Sequence, residues 1–173
     1  PHERMYRNAV LALFDRATLA KVHAGPDIRM LLGRMPGWLG PRTGALVAAA
    51  AYNVDKRIRG LVHPTMSSAI GFRPEVVSVR ECGTPEHLAD LILASSCSPP
   101  MTPLLTWKGR YVLDGGVVDN VPACALDDAP GETLVMLTRR YPALPVIPGR
   151  TYVQLFVKDA ASAEIYTSAD GLQ

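Results

Sequence analysis

The stretch Tyr111-Val112-Leu113-Asp114-Gly115-Gly116-Val117-Val118-Asp119-Asn120-Val121-Pro122 constrains this chain more than any other. Its apolar lead, Tyr-Val-Leu, reads as a buried strand. The strand runs straight into an Asp followed by two glycines. The glycines remove two Cβ atoms beside the carboxylate, so backbone or a ligand can approach it closely. A carboxylate placed there, at the end of a strand in an α/β layer fold, suits a general base. An isolated Asp-Gly-Gly fits a plain turn with a solvated carboxylate equally well, because Asp and Gly dominate turns on conformational grounds alone. The flanks have to decide.

The 173 residues suffice for one domain with a sizeable core. Hydrophobic residues make up 48% and charged residues 20%, a globular profile. A net charge of +2 and 6% aromatics give neither a basic face nor stacking platforms, so no nucleic acid is expected as a partner. Cys82, Cys97 and Cys124 show no C-x-x-C spacing and no His at ligand spacing, which points to reduced thiols in a reducing compartment. The longest near-apolar run, Gly44 to Val54, is about half of what a spanning helix needs. Pro1 to Arg7 lacks the apolar core of a signal peptide. The first residue is not Met, so the expectation is a piece of something longer, cytoplasmic or peripheral to a membrane.

Helical spacing predicts a helix over Met5–Val22, stopped by Gly25-Pro26. Asp27–Leu32 reads as a helical turn. Thr43 reads as the N-cap of an Ala-rich helix to Arg57, apolar on nearly all sides and therefore buried on several. Ile58–Phe72 is ambiguous. Pro74–Arg80 is a strand, and Thr84 caps a helix running to Ser96. Pro99, Pro100 and Pro103 keep the next segment irregular. Leu104–Trp107 and Arg110–Leu113 form a hairpin about Lys108-Gly109. Asp119 or Asn120 caps a short helix that has Pro122 near its first turn. Glu132–Thr138 and Thr151–Val157 are further strands. Alternating strands and helices predict an α/β fold.

In this order, Asp90-Leu-Ile-Leu-Ala-Ser-Ser-Cys-Ser-Pro-Pro and Trp107-Lys-Gly-Arg-Tyr-Val-Leu-Asp-Gly-Gly-Val-Val-Asp-Asn-Val-Pro resemble the C-terminal half of a patatin-like phospholipase domain. The resemblance implies a three-layer α/β/α fold with a mostly parallel sheet, of which this chain is an N-terminally truncated part. Residues 1–73 would be a helical cap or variable region, and 74–173 core strands and helices. It also implies a serine lipid acyl hydrolase working through a Ser-Asp dyad. Asp114 would be the general base, with Gly115, Gly116 and Asn120 shaping its turn or meeting substrate. Phospholipid or another acyl ester would be the substrate, met at a membrane or micelle, and no metal or organic cofactor is implied. One departure is large: no Ser here stands in the family's Gly-x-Ser-x-Gly elbow. The expectation is that the nucleophile and oxyanion loop belong to the remainder of the catalytic domain, and that the chain alone is inactive. The competing expectation is a non-catalytic patatin-like module that binds lipid or a protein.

Other residues carry weaker signals. Ser95 and Ser96 end a helix, where hydroxyls satisfy free carbonyls; Ser67 and Ser68 are similar. Asp119 reads as a solvated or capping carboxylate. His2, His23, His63 and His87 share no spacing, read as surface or helix-terminal, and all precede Asp114, which disfavours a hydrolase with a His base after its acid. Arg139-Arg140 reads as a solvated strand end that could instead meet lipid phosphate. Leu31, Leu32, Met35 and Trp38 lie in an apolar stretch that suits either a lid or the core.

Overall fold

The structure, a computed structural model, describes residues 2–56, 62–63, 65–137, 141, 143–159 and 162–167, with side chains for 4–56, 62–63, 65–137, 141 and 143–153. Arg57, Pro64, Thr138 and Arg139-Arg140 lie outside the described residues, as does the side chain of His2.

Two helices replace the single one expected at the start. α1 spans His2–Leu13 and α2 Arg16–Ala24. The break is chemical: Asp15 adopts an extended backbone, and its Oδ1 accepts the Thr18 N–H at 2.7 Å, capping α2. Periodicity alone does not register that competition.

The larger correction is at Asp27–Leu32, where the expected helical turn is a strand. β1, Arg29–Arg34, lies inside a four-stranded sheet ordered β2-β1-β4-β3, with β2 at Arg73–Ser78, β3 at Leu105–Trp107 and β4 at Arg110–Asp114. Met-Leu-Leu is too short for its period to separate helix from strand. Pairing on both sides decides: Leu31 lies opposite Val76, and Leu32 opposite Asp114. The stretch expected to be cap thus supplies a core strand.

Every pair in this sheet is antiparallel, so the mostly parallel sheet is also corrected. The tight β3–β4 turn imposes its share. Lys108 and Gly109 both have positive φ (47° and 77°), as the two-residue turn matched to strand twist requires. The parallel pair among the described residues is β5, Thr133–Leu137, with β6, Arg150–Asp159; β7, Ser162–Thr167, adds antiparallel to β6.

Alternation along β1 gives the first sheet two cores. Leu32 and Val112 face α2 and α5 (Pro85–Ser95), packing with Leu19, Leu88, Leu91 and Trp107. Leu31 and Leu113 face the other way, packing with Ala48, Phe72, Cys97 and Val118. Helices on both faces make three layers, in a mixed α/β fold. Leu31, Leu32 and Met35 are core residues and not a lid, while Trp38 is 72% exposed. α5 begins as expected, Thr84 Oγ1 accepting the His87 N–H at 3.2 Å.

α3, Pro41–Val54, is capped by Gly40 with Pro41 in its first turn, and Thr43 lies inside the helix. It buries one stripe, Gly44, Ala48 and Ala51, while Leu46 is 73% exposed. Alanine tolerates core and surface alike, so an Ala-rich helix does not report how many sides are covered.

Asp55, just past α3, is 1% exposed, and its Oδ2 accepts the N–H groups of Thr65 (3.1 Å) and Met66 (2.9 Å), opening the short α4, Met66–Ile70. Asp55→Ala strands both donors and is expected to cost about 2–3 kcal/mol in a denaturant melt. Asp55→Asn keeps an acceptor and should cost less than half of that.

Charge pairs rim the fold. Arg29 donates to Asp27 and Asp128, and Lys108 donates to Glu81 at 2.8 Å. Hydrogen bonds from Arg29, then from Ser78, hold the Asp27 carboxyl below its ordinary range; Arg29 does the same to Asp128, and Lys108 to Glu81. A carboxyl with a lowered folded pKa adds stability above its unfolded pKa and loses it as pH falls through the folded value. The melting temperature is therefore expected to fall on acidification below about pH 4. Because these groups are at the surface, the fall should be shallow and weakened by added salt.

Candidate active site

β4 delivers Asp114 to the end of the first sheet, where the chain enters a 3-10 turn, Gly115–Val117. The side chain caps that turn: the Gly116 N–H donates to Asp114 Oδ1 at 2.8 Å. The main chain is tied from the other side, the Asp114 N–H donating to Cys97 O at 2.7 Å. The loop after α5 thereby sits against the carboxylate.

That loop carries a contact with no sequence signal. Ser98 Oγ lies 3.4 Å from Asp114 Oδ2, and the Ser98 N–H is held by Thr102 Oγ1 at 2.8 Å. Ser98 is sixteen positions from Asp114 in the chain; only the meeting of loop and strand end shows the pair. Ser95 and Ser96 behave as expected, both hydroxyls donating to Ile92 O at 2.9 Å.

The two glycines have different reasons. A Cβ on Gly115 would stand 2.4 Å from the Leu31 carbonyl oxygen, so this residue lets β4 close onto β1. A Cβ on Gly116 would stand 3.1 Å from Asp114 Oδ1 and from Asn120 Oδ1, so here the freed space belongs to the site. Asn120 does not cap the following helix; the 3-10 turn Ala123–Leu126 starts after Pro122 with no side-chain cap. Its Nδ2 is buried and has no hydrogen-bond partner.

Asp114, Gly116, Asn120, Cys97 and Ser98 line one side of a cleft of about 330 Å³, with Ala45, Ala48, Ala49 and Tyr52 of α3 opposite. That volume is enough to receive part of a small ligand. A neighbouring cleft of about 430 Å³ over β5 shares Tyr52 and Asn120 but has no carboxylate in its lining. The first cleft is therefore the one with base chemistry.

Asp119 and His63 depart from expectation together. Asp119 is neither solvated nor a helix cap: its side chain is 14% exposed and faces His63 Nδ1 at 3.0 Å. His23 lies on α2 with Nε2 buried, and His87 stacks on Trp107 with centroids 4.9 Å apart. Ser67 is fully buried in α4, away from any role as a nucleophile at this cleft. Among the described residues no helix is long and apolar enough to cross a membrane, and no cluster of His, Cys, Asp and Glu could hold a metal.

The Patatin-like phospholipase family model matches residues 2–127. The match takes in the N-terminal helices and β1 as well as the Asp-Gly-Gly turn, and stops short of β5. Neither curated proteins nor solved structures gave a match. With most of its length inside that span, the chain belongs to the patatin-like phospholipase family of lipid acyl hydrolases.

Proposed function

We propose that the protein carrying this chain cleaves acyl esters of phospholipids or related lipids through a Ser-Asp dyad. Asp114 is its general base, for a serine outside these 173 residues. One observation carries the reading: a half-buried carboxylate, steered by the Gly116 N–H, stands in the wall of a cleft otherwise lined largely by small and apolar side chains. As the serine oxygen attacks the ester carbonyl, Asp114 takes its proton. The tetrahedral intermediate then collapses, the proton passes to the departing alcohol, and an acyl-serine remains. Water, deprotonated by the same carboxylate, releases the fatty acid. Asn120 lines the same cleft and its Oδ1 adjoins Gly116, so it shapes the turn that holds Asp114. The alanines of α3 give an acyl chain apolar contact without filling the space. No cofactor enters these steps, and contact with a membrane or micelle follows from where such substrates reside. Release of fatty acid from phospholipid micelles, lost in Asp114→Asn, tests the reading; turnover that survives the substitution would sink it.

A further inference from the structure

His63, Asp119 and Tyr152 form a chain of hydrogen bonds with no part in the dyad. His63 Nδ1 lies 3.1 and 3.0 Å from the two Asp119 oxygens, and Nε2 lies 3.0 Å from the Tyr152 hydroxyl. A ring nitrogen between two carboxylate oxygens has to be the protonated one. With both nitrogens engaged, the imidazole cannot rotate without losing a partner. Its far anchor is rigid: Tyr152 sits on β6, fully buried among Val62, Val121, Val135 and Leu137.

The near end reaches the Asp114 turn. The Asp119 N–H donates to Gly115 O at 3.0 Å, and Asp119 Oδ1 accepts the Val121 N–H at 2.9 Å. Asp119 thus grips the turn behind it and the loop ahead of it. Between those grips stands Asn120, whose Oδ1 adjoins Gly116, the residue that steers Asp114.

We infer that His63 is a positioning residue, fixing the Asp114 turn through Asp119. The inference rests on the dyad reading above. Without the His63 N–H, the mostly buried Asp119 carboxylate keeps the Val121 N–H but loses the partner that fixes its orientation. The Gly115 and Asn120 contacts then loosen.

The two conservative amides separate this role from simple packing. His63→Asn places an amide nitrogen near the position of Nδ1 and keeps the donor to Asp119. His63→Gln reaches toward the Nε2 position and keeps Tyr152 instead. In the full-length protein, His63→Gln is expected to lower kcat about tenfold with KM nearly unchanged, the effect of a slightly misplaced base. His63→Asn is expected to recover most of that loss. Amide exchange at Gly116 and Asp119 should be faster in His63→Gln than in His63→Asn. Equal kcat losses in the two variants, or losses that follow only the melting temperature, overturn the inference. If Asp114→Asn abolishes turnover while His63→Gln leaves kcat intact, the inference alone fails. If Asp114→Asn retains turnover, the dyad reading fails first.

Discussion

Asp114→Asn is expected to reduce ester hydrolysis by about 10³–10⁴-fold while leaving the melting temperature nearly unchanged. Asn has the shape of Asp and keeps the acceptor for the Gly116 N–H, which lies 2.8 Å from Oδ1. Its amide nitrogen at the Oδ2 position can face Ser98 Oγ, now 3.4 Å away. The local bonds survive, and what disappears is a group able to take a proton. Fatty-acid release and a thermal melt on the same preparation separate the two effects. Ser98→Ala is the companion measurement. Ser98 touches the base, but Pro99 and Pro100 follow it and neither offers an N–H to a developing oxyanion. Its loss removes one long hydrogen bond and is expected to cost about tenfold or less. A fall as deep as that of Asp114→Asn would instead make Ser98 the nucleophile.

The legible parts of this fold were those where one local rule acts alone. The Thr84 cap of α5, the Lys108-Gly109 hairpin and the Asp-Gly-Gly turn each follow from a few adjacent residues. Strands with a clear apolar or β-branched run, β2, β5 and β6, were legible as well, but an element whose type only its partners decide was not. β1 is a strand because β2 and β4 lie on either side of it, and Met-Leu-Leu cannot report those neighbours. The division between α1 and α2 turns on Asp15, whose carboxylate prefers a cap to a place mid-helix. At the site, the Asp114 turn was readable, but its two long-range partners were not. Ser98 arrives from the loop after α5. His63 reaches Asp119 across 56 positions of the chain and has no motif around it.

Gly115→Ala is expected to be the most destabilising single-methyl addition near the site, by about 3 kcal/mol or more. The added Cβ would lie 2.4 Å from the Leu31 carbonyl oxygen, 2.8 Å from the Leu31 carbonyl carbon and 2.9 Å from the Leu31 Cβ. Two of those atoms are backbone in β1, which β2 and β4 flank on either side, so β1 cannot recede without breaking a ladder. β4 cannot recede either, because the Asp114 N–H is held by Cys97 O at 2.7 Å. For a chain of this size, the loss corresponds to a melting temperature lower by roughly 6–12 °C. Gly116→Ala meets different atoms, Asp114 Oδ1 and Asn120 Oδ1, both at 3.1 Å and both on side chains that can give by a few tenths of an ångström. Its cost should fall on turnover, since the carboxylate itself must move, and only slightly on stability. The two glycines are therefore expected to separate, Gly115→Ala in the melt and Gly116→Ala in kcat. A Gly115→Ala protein that melts with the wild type would mean that β1 and β4 do not close at Leu31 as described.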